Sequence, residues 1–440
     1  MELLIYSRQT SPRLEYICRF IFKDILRMPY RISSSYTEAS DYKGPTLSYD
    51  KQPIPGSISI CPSSLLFDTA INQVPMEIGE WHGMPAFPIT LGNHKTDIPF
   101  DLLAGAFYMV TRYEEYLSHK PDRHGRYRFT NSIAYKNGFL EIPIVDLWAY
   151  ELGTLIKEKF SNTHSKERNF TSQITFDLDS AFAFKGKSIV RNALGFAKSA
   201  LTFDYSKAKL RLKVLTSKAK DPFDIYDELF TFLPAGEATK WFIHVGSWGK
   251  YDKQVNTRSA SFLNVVNKLS SRYPIGIHPS YKTYLSDEYF RQELTKLVDM
   301  LGQAVSASRF HYLRQSIPYS YYPLLRAGIT QEYSMGYADK PGFRAGTCTP
   351  YPFFDLFENT PKNLKVFPFA LMDKSLINIV RHNPSQALEL VKRLVRTVRK
   401  VNGNFVSIWH IDYLAENHTG ITLRELLEKT VEMCKDERKS

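Results

Sequence analysis

The chain has 440 residues, 43% of them hydrophobic, and carries a formal charge of +12. That length exceeds one ordinary core and predicts two or three domains, while the hydrophobic share excludes a largely disordered chain. Four cysteines (Cys18, Cys61, Cys348 and Cys434) stand far apart, which excludes a disulfide framework and a cysteine zinc site and fits a reducing compartment.

The opening residues show no basic segment followed by a long apolar one, and no apolar run reaches the ~18 residues a membrane span needs. A cytoplasmic protein is expected. Residues 1–160 mix short strand-like runs, at 57–61 and 86–89, with turns rich in Pro and Gly. A helical stretch over 101–117 carries Arg112-Tyr113-Glu114-Glu115-Tyr116, whose acids are expected on an exposed turn, and a second helix covers 145–159. An α+β unit follows from this mixture. His82, His94, His119 and His124 read as surface or packing residues of that unit. The polar run 161–170 marks a boundary between a first domain, 1–165, and a second, 170–440.

Between residues 185 and 220 stand ten lysines and arginines against one acid, Asp204. That run predicts a basic helix or helical hairpin lying over a surface, with peripheral contact to an anionic membrane as one use. Nucleic acid is not expected, since no helix-turn-helix, zinc finger or RNP-like motif accompanies the charge.

Beyond residue 170 strands alternate with helices. Strands are predicted at 173–177, 240–245, 274–278, 309–313, 332–337, 366–372 and 405–410. One intervening helix is capped by Ser286 and turns Phe290, Leu294, Leu297, Val298 and Leu301 inward. Another opens at Asn383-Pro384, and Thr422 to Glu425 form a capping box for the last. Seven alternating strands predict a parallel sheet, closed as a barrel rather than left open.

In such barrels the reacting groups stand at the C-terminal ends of strands. Here those ends carry Asp177 and Asp179, then His278 followed by Tyr281, then Arg309 and His311, and finally Trp409 and His410. Hydrolysis of an acetamide or acetyl ester needs an activated water, an acid for the leaving group and a stabilised oxyanion. A divalent metal held by Asp and His supplies two of these. Arg309 and Arg344 could orient carboxylates or bind anionic sugar groups, and Tyr281 and Trp409 are further candidate substrate contacts. His244 also ends a strand but is not counted among the ligands.

Ile174-Thr175-Phe176-Asp177-Leu178-Asp179 resembles the first motif of polysaccharide deacetylases, the NodB-like carbohydrate esterase family 4. Gly276 to Ser280 resembles the second motif, Arg309 to Tyr312 falls where the third is expected, and Phe405 to His410 resembles the last. The likeness covers roughly 170–435, and the whole chain is similar to a bacterial subgroup with an N-terminal domain of unknown function, associated with surface-polysaccharide synthesis. The resemblance implies a distorted (β/α)7 barrel and a divalent metal, Zn2+ first. It implies Asp177 as catalytic base, Asp179 as the metal carboxylate, His278 as the first histidine ligand and His410 as the catalytic histidine. The expected partner is an acetylated glycan or lipid-linked saccharide. Two departures stand out. Leu178 is inserted between the two acids, and Lys282 stands where the family has its second histidine ligand. His311 is expected to supply the missing ligand, with Ser280 or a water as alternatives. Without one, the fold would serve to bind glycan or to scaffold a biosynthetic complex.

Overall fold

Leu3-Leu4-Ile5-Tyr6 is too short for a helix and apolar on both faces, as a strand inside a parallel sheet must be. In a computed structural model, which describes residues 1–89, 96–415 and 422–435, these four residues are fully enclosed and form β1 (Leu3–Tyr6). Of the histidines named above, His94 lies outside the described residues. β2 (Tyr30–Ser33), β3 (Thr46–Tyr49) and β4 (Ile58–Ile60) join β1 in the order β2-β1-β3-β4, all parallel. The expected α+β unit is thus corrected. Helical segments beginning at Pro12 and Tyr36 carry the chain back between strands, as parallel pairing requires. β5 (Gly79–Trp81) and β6 (Met84–Ala86) make a separate hairpin, so the run predicted at 86–89 is strand only at its first residue.

The helix expected over 101–117 is two helices, Leu102–Val110 and Tyr113–Tyr116, broken where Arg112 takes φ +55°. The break turns Glu114 and Glu115 inward, correcting their assignment to an exposed turn. Arg112 bonds Glu114 and Glu115 at 2.7 Å each, and Arg344 grips Glu115 through Nε at 2.8 Å and Nη2 at 2.6 Å. Burial of these acids is tolerated because each carboxylate meets a guanidinium.

The second sheet contains β7 (Thr171–Leu178), β8 (Thr239–Ile243), β9 (Ile275–Ile277), β10 (Ala307–Ser308), β11 (Gln331–Glu332), β12 (Tyr351–Asp355), β13 (Thr360–Val366), β14 (Leu371–Met372) and β15 (Asn404–His410). Its order is β12-β13-β11-β10-β9-β8-β7-β15-β14, parallel throughout except for β12 against β13. The architecture is mixed α/β with several sheets. Three predicted strands are corrected. The run expected at 309–313 leaves the sheet after Ser308, with Tyr312 and Leu313 at φ +62° and +50°. The run at 332–337 stops at Glu332, and 366–372 divides between β13 and β14. Between those two strands Phe367 N bonds Glu332 O, Phe369 N bonds Met335 O and Ala370 N bonds Val406 O, so this stretch touches β11 on one side and β15 on the other.

Strand alternation sorts the side chains of β7, β8 and β15. Phe176 and Trp241 stack at 4.2 Å in the sheet–helix layer, where Trp409 is also fully buried. Phe242, Tyr333, Val406 and Ile408 fill the opposite side. The sheet–helix core is continuous with that of the first 160 residues, where Tyr16 and Phe107 pack on Phe354 at 4.9 and 5.2 Å.

Burial alone would raise the Glu115 carboxyl, but Arg344 and Arg112 outweigh it and hold it at about 2. A native value below the unfolded one contributes stability above about pH 4.5, lost as pH falls toward 2. The displacement from 4.5 to about 2 corresponds to about 3 kcal/mol. Glu115→Gln is expected to lower unfolding free energy by about that amount at pH 7, and to flatten its decline between pH 4.5 and 2, in denaturant titrations across pH.

Candidate metal centre

β7 ends in two acids with Leu178 between them. Leu178 faces the helices, so Asp177 and Asp179 project from the same opposite face. β15 pairs with β7 in a register that sets His410 beside Asp177. β9 delivers His278 one residue past its end, and the turn after β10 delivers His311.

These groups converge. The ligand atoms of Asp179, His278 and His311 all lie within 4.8 Å of one another. His278 Nε2 is 3.1 Å from Asp179 Oδ1, and His311 Nε2 is 3.3 Å from Asp179 Oδ2. Both rings are fixed from behind. His278 Nδ1 sits 2.6 Å from the Arg309 carbonyl, and His311 Nδ1 sits 2.9 Å from Asp252 Oδ1. A ring held through Nδ1–H presents the lone pair of Nε2, the arrangement that metal-binding histidines use. His278 Nε2 and Asp179 Oδ1 are buried without a hydrogen-bond partner. Two buried acceptors left facing each other fit a cation, and a set of one carboxylate and two imidazoles suits zinc or a similar divalent ion. Asp179, 28% exposed, is the group open to the mouth.

A second trio, His244, Asp252 and His311, is as close-set but wholly enclosed. Its Asp252 is already occupied by His311 and by the Tyr281 amide, so it orients ligands rather than forming a cation site of its own. Burial, with His311 beside it, lowers His244 to about 3 and keeps the ring neutral. Burial opposes the charge on His311 too, but Asp179 and Asp252 outweigh it and raise the ring to about 9, so an ion would have to displace the Nε2 proton to take that lone pair.

Asp177 and His410 flank this set. Asp177 Oδ2 lies 3.9 Å from His278 Nε2 and 3.8 Å from His410 Nε2. Arg309 donates to Asp177 Oδ1 at 2.8 Å, to Thr175 Oγ1 at 2.8 Å and to the Tyr333 carbonyl at 3.0 Å. Its guanidinium stacks 4.3 Å over Phe242, beneath which Gly276 leaves room that a Cβ would fill. Asp373 holds His410 through Nδ1 at 2.8 Å and the backbone amide at 2.6 Å. Burial opposes a charged His410, yet Asp373, with Asp179 and Asp177, raises it to about 10.

Of the four suggested substrate contacts, Tyr281 alone stands at the rim, stacked with Tyr251 at 4.1 Å and beside Tyr312 at 5.6 Å. Arg309 is committed to Asp177 and buried. Arg344 is committed to Glu115, and Trp409 faces the helices, its Nε1 bonded to Ser407 Oγ at 2.9 Å. Strand periodicity accounts for Trp409, which must point away from His410.

Asp252 and Asp373 were not anticipated. Asp373 follows Met372 at a strand end and carried a readable signal; Asp252 sits in a loop and carried none. His124 was read as peripheral, but its Nδ1 lies 3.1 Å from the Tyr281 hydroxyl, and Arg126 donates to the Tyr312 carbonyl at 2.8 Å. The first 160 residues therefore wall one side of the mouth.

The profile of a family of unknown function, DUF7033, matches residues 3–161. No curated protein matches the chain. Among solved structures, that of an inferred polysaccharide deacetylase from Mycobacterium smegmatis aligns with 62% of this chain and 86% of that one, at 14% identity and a TM-score of 0.37.

Arg309→Met removes the cation hydrogen-bonded to buried Asp177 and leaves it only the more distant His410, at 3.8 Å. It is expected to cost about 3–5 kcal/mol in urea unfolding, and Asp177→Asn in the same background should recover part of that.

Proposed function

We propose that the chain is a metal-dependent deacetylase acting on an N- or O-acetylated sugar or polysaccharide, in the assembly of a surface polysaccharide. Residues 170–440 are read as a distorted (β/α)7 barrel with β7, β8, β9, β10, β11, the β13–β14 stretch and β15 as its seven staves, and residues 1–165 as a first domain packed against it. The observation that carries the reading is the convergence of Asp179, His278 and His311 beside an arginine-held Asp177 and an aspartate-held His410.

Asp179, His278 and His311 would hold the ion, Zn2+ in the first instance, which when bound polarises an acyl oxygen and acidifies water. Asp177 Oδ2, free of Arg309, accepts the proton of the attacking water. His410 carries a proton on Nε2 and donates it to the departing amine or alcohol. Asp373 keeps that imidazole charged and aimed. Tyr251, Tyr281 and Tyr312 cluster beside the site, with Tyr281 held between Tyr251 and Arg314, and would supply the aromatic surface that a pyranose meets.

Lys282, in the place of the family's second histidine, favours a second reading in which the mouth binds glycan without hydrolysis. The two separate cleanly. Purified protein is expected to bind about one zinc per chain and to release acetate from acetylated chito-oligosaccharide or acetylated xylan. Asp177→Asn should keep the zinc while losing about 100- to 10,000-fold in rate. Asp252→Asn should weaken zinc affinity by about 10- to 100-fold with the fold intact by circular dichroism. Glycan binding with no acetate released from any such substrate would support the second reading.

A further inference from the structure

The basic run folds as a helical hairpin, Ile189–Leu201 followed by Tyr205–Leu215, rising from the loop after β7. Its two helices meet around one arginine. Arg211 is buried, bonds Asn192 Oδ1 at 3.2 Å and lies over Phe184 and Phe196 at 4.7 and 5.6 Å, while Gly195 gives its guanidinium room. What the hairpin leaves to solvent is unusual. Ile189, Val190, Ala193, Leu194, Ala197 and Leu201 are all exposed. At 100° per residue they span an arc of about 140° free of charge. Buried Asn192 and Ser199 occupy the other side, so this helix turns its polar residues in and its apolar ones out. Ile189 is 89% exposed and Leu201 81%; Phe203, at the turn, is 77% exposed. Lone exposed apolar residues need no explanation, but a continuous face does.

Cations accompany that face on the hairpin. Lys198 stands at its margin, and Lys207, Lys209 and Lys213 are exposed along the second helix beside Tyr205 and Leu212. The single acid, Asp204, is used as a helix cap, accepting from Ser206 and the Lys207 amide. Arg191 ties the hairpin to the rim of the site through the Gln254 and Lys253 carbonyls, at 2.7 and 2.9 Å, and lies over exposed Trp248.

We infer that this hairpin docks the protein on an anionic lipid surface, with Ile189, Leu194, Leu201 and Phe203 entering the interface and the lysines meeting acidic headgroups. An apolar helical face on a lysine-rich hairpin, with an exposed Trp beside it, has the chemistry of an interfacial helix. No helix among the described residues is long and apolar enough to cross a membrane, so the contact is peripheral. A second copy of the chain fits worse, because facing hairpins would bring like-charged lysines together with no acid to meet them.

The test is co-sedimentation of the full chain with phosphatidylcholine vesicles, with and without about 30% phosphatidylglycerol, at moderate salt. Binding is expected only to the anionic vesicles. Lys207→Gln/Lys209→Gln/Lys213→Gln should weaken it about a hundredfold, at about fivefold per lysine. Leu194→Ser/Leu201→Ser/Phe203→Ser, all at exposed positions, should abolish it without moving the thermal midpoint. No binding to anionic vesicles, or binding undiminished in either triple variant, would overturn the inference. So would a dimer in sedimentation velocity that the serine variant dissociates, since the face would then cover a second copy.

Discussion

The candidate site depends on two hydrogen bonds made on the far side of its imidazoles. With Nδ1 of His278 directed at the Arg309 carbonyl and Nδ1 of His311 directed at Asp252, both Nε2 atoms point at Asp179. A neutral imidazole can only offer a lone pair at one nitrogen, so anchoring one end decides what the other presents. Asp252 is thereby as consequential as the groups it orients. It comes from the loop after β8, whose Gln254 bonds the Leu178 and His244 carbonyls and pins that loop to the ends of two strands.

The same region gathers carboxylates that water would otherwise solvate. Several deeply enclosed ones have a cationic or imidazole neighbour: Asp177 has Arg309, Asp373 has His410, and Glu115 has Arg344 and Arg112. Such pairs add little net stability over an apolar core, but breaking one leaves a charge with no solvent to turn to. They therefore fix geometry. Arg344 and Glu115 also join the two halves of the chain, and the loop carrying His124 and Arg126 leans on the tyrosines at the mouth. The first 160 residues are in this way part of the wall around the candidate site rather than an appendage to it.

Much of this was legible in the sequence because apolar runs ending in Asp or His are strand ends in an α/β chain. Asp177, Asp179, His278 and His410 could be named from that pattern, and the helix-facing Leu178 follows from period two alone. The limits have physical causes. The segment after β10 was misplaced, because Arg309 to Leu313 reads as a strand while its backbone bends away through two left-handed residues. Arg344 and Trp409 looked available for substrate because a sequence does not show which partner a side chain is committed to. Glu115 and Arg344 are more than two hundred positions apart, and only the tertiary fold reveals that they neutralise each other. Loop residues such as Asp252 leave no periodic trace at all.

The central claim is that His311, from a neighbouring strand end, takes the place of the histidine that Lys282 displaces. X-ray absorption at the zinc edge of the loaded protein tests it most directly. Zinc bound by the proposed set should show two imidazole nitrogens and carboxylate oxygen at about 2.0–2.1 Å, and one imidazole after His311→Ala. A shell unchanged by that substitution, or a protein that takes up no zinc, would contradict it.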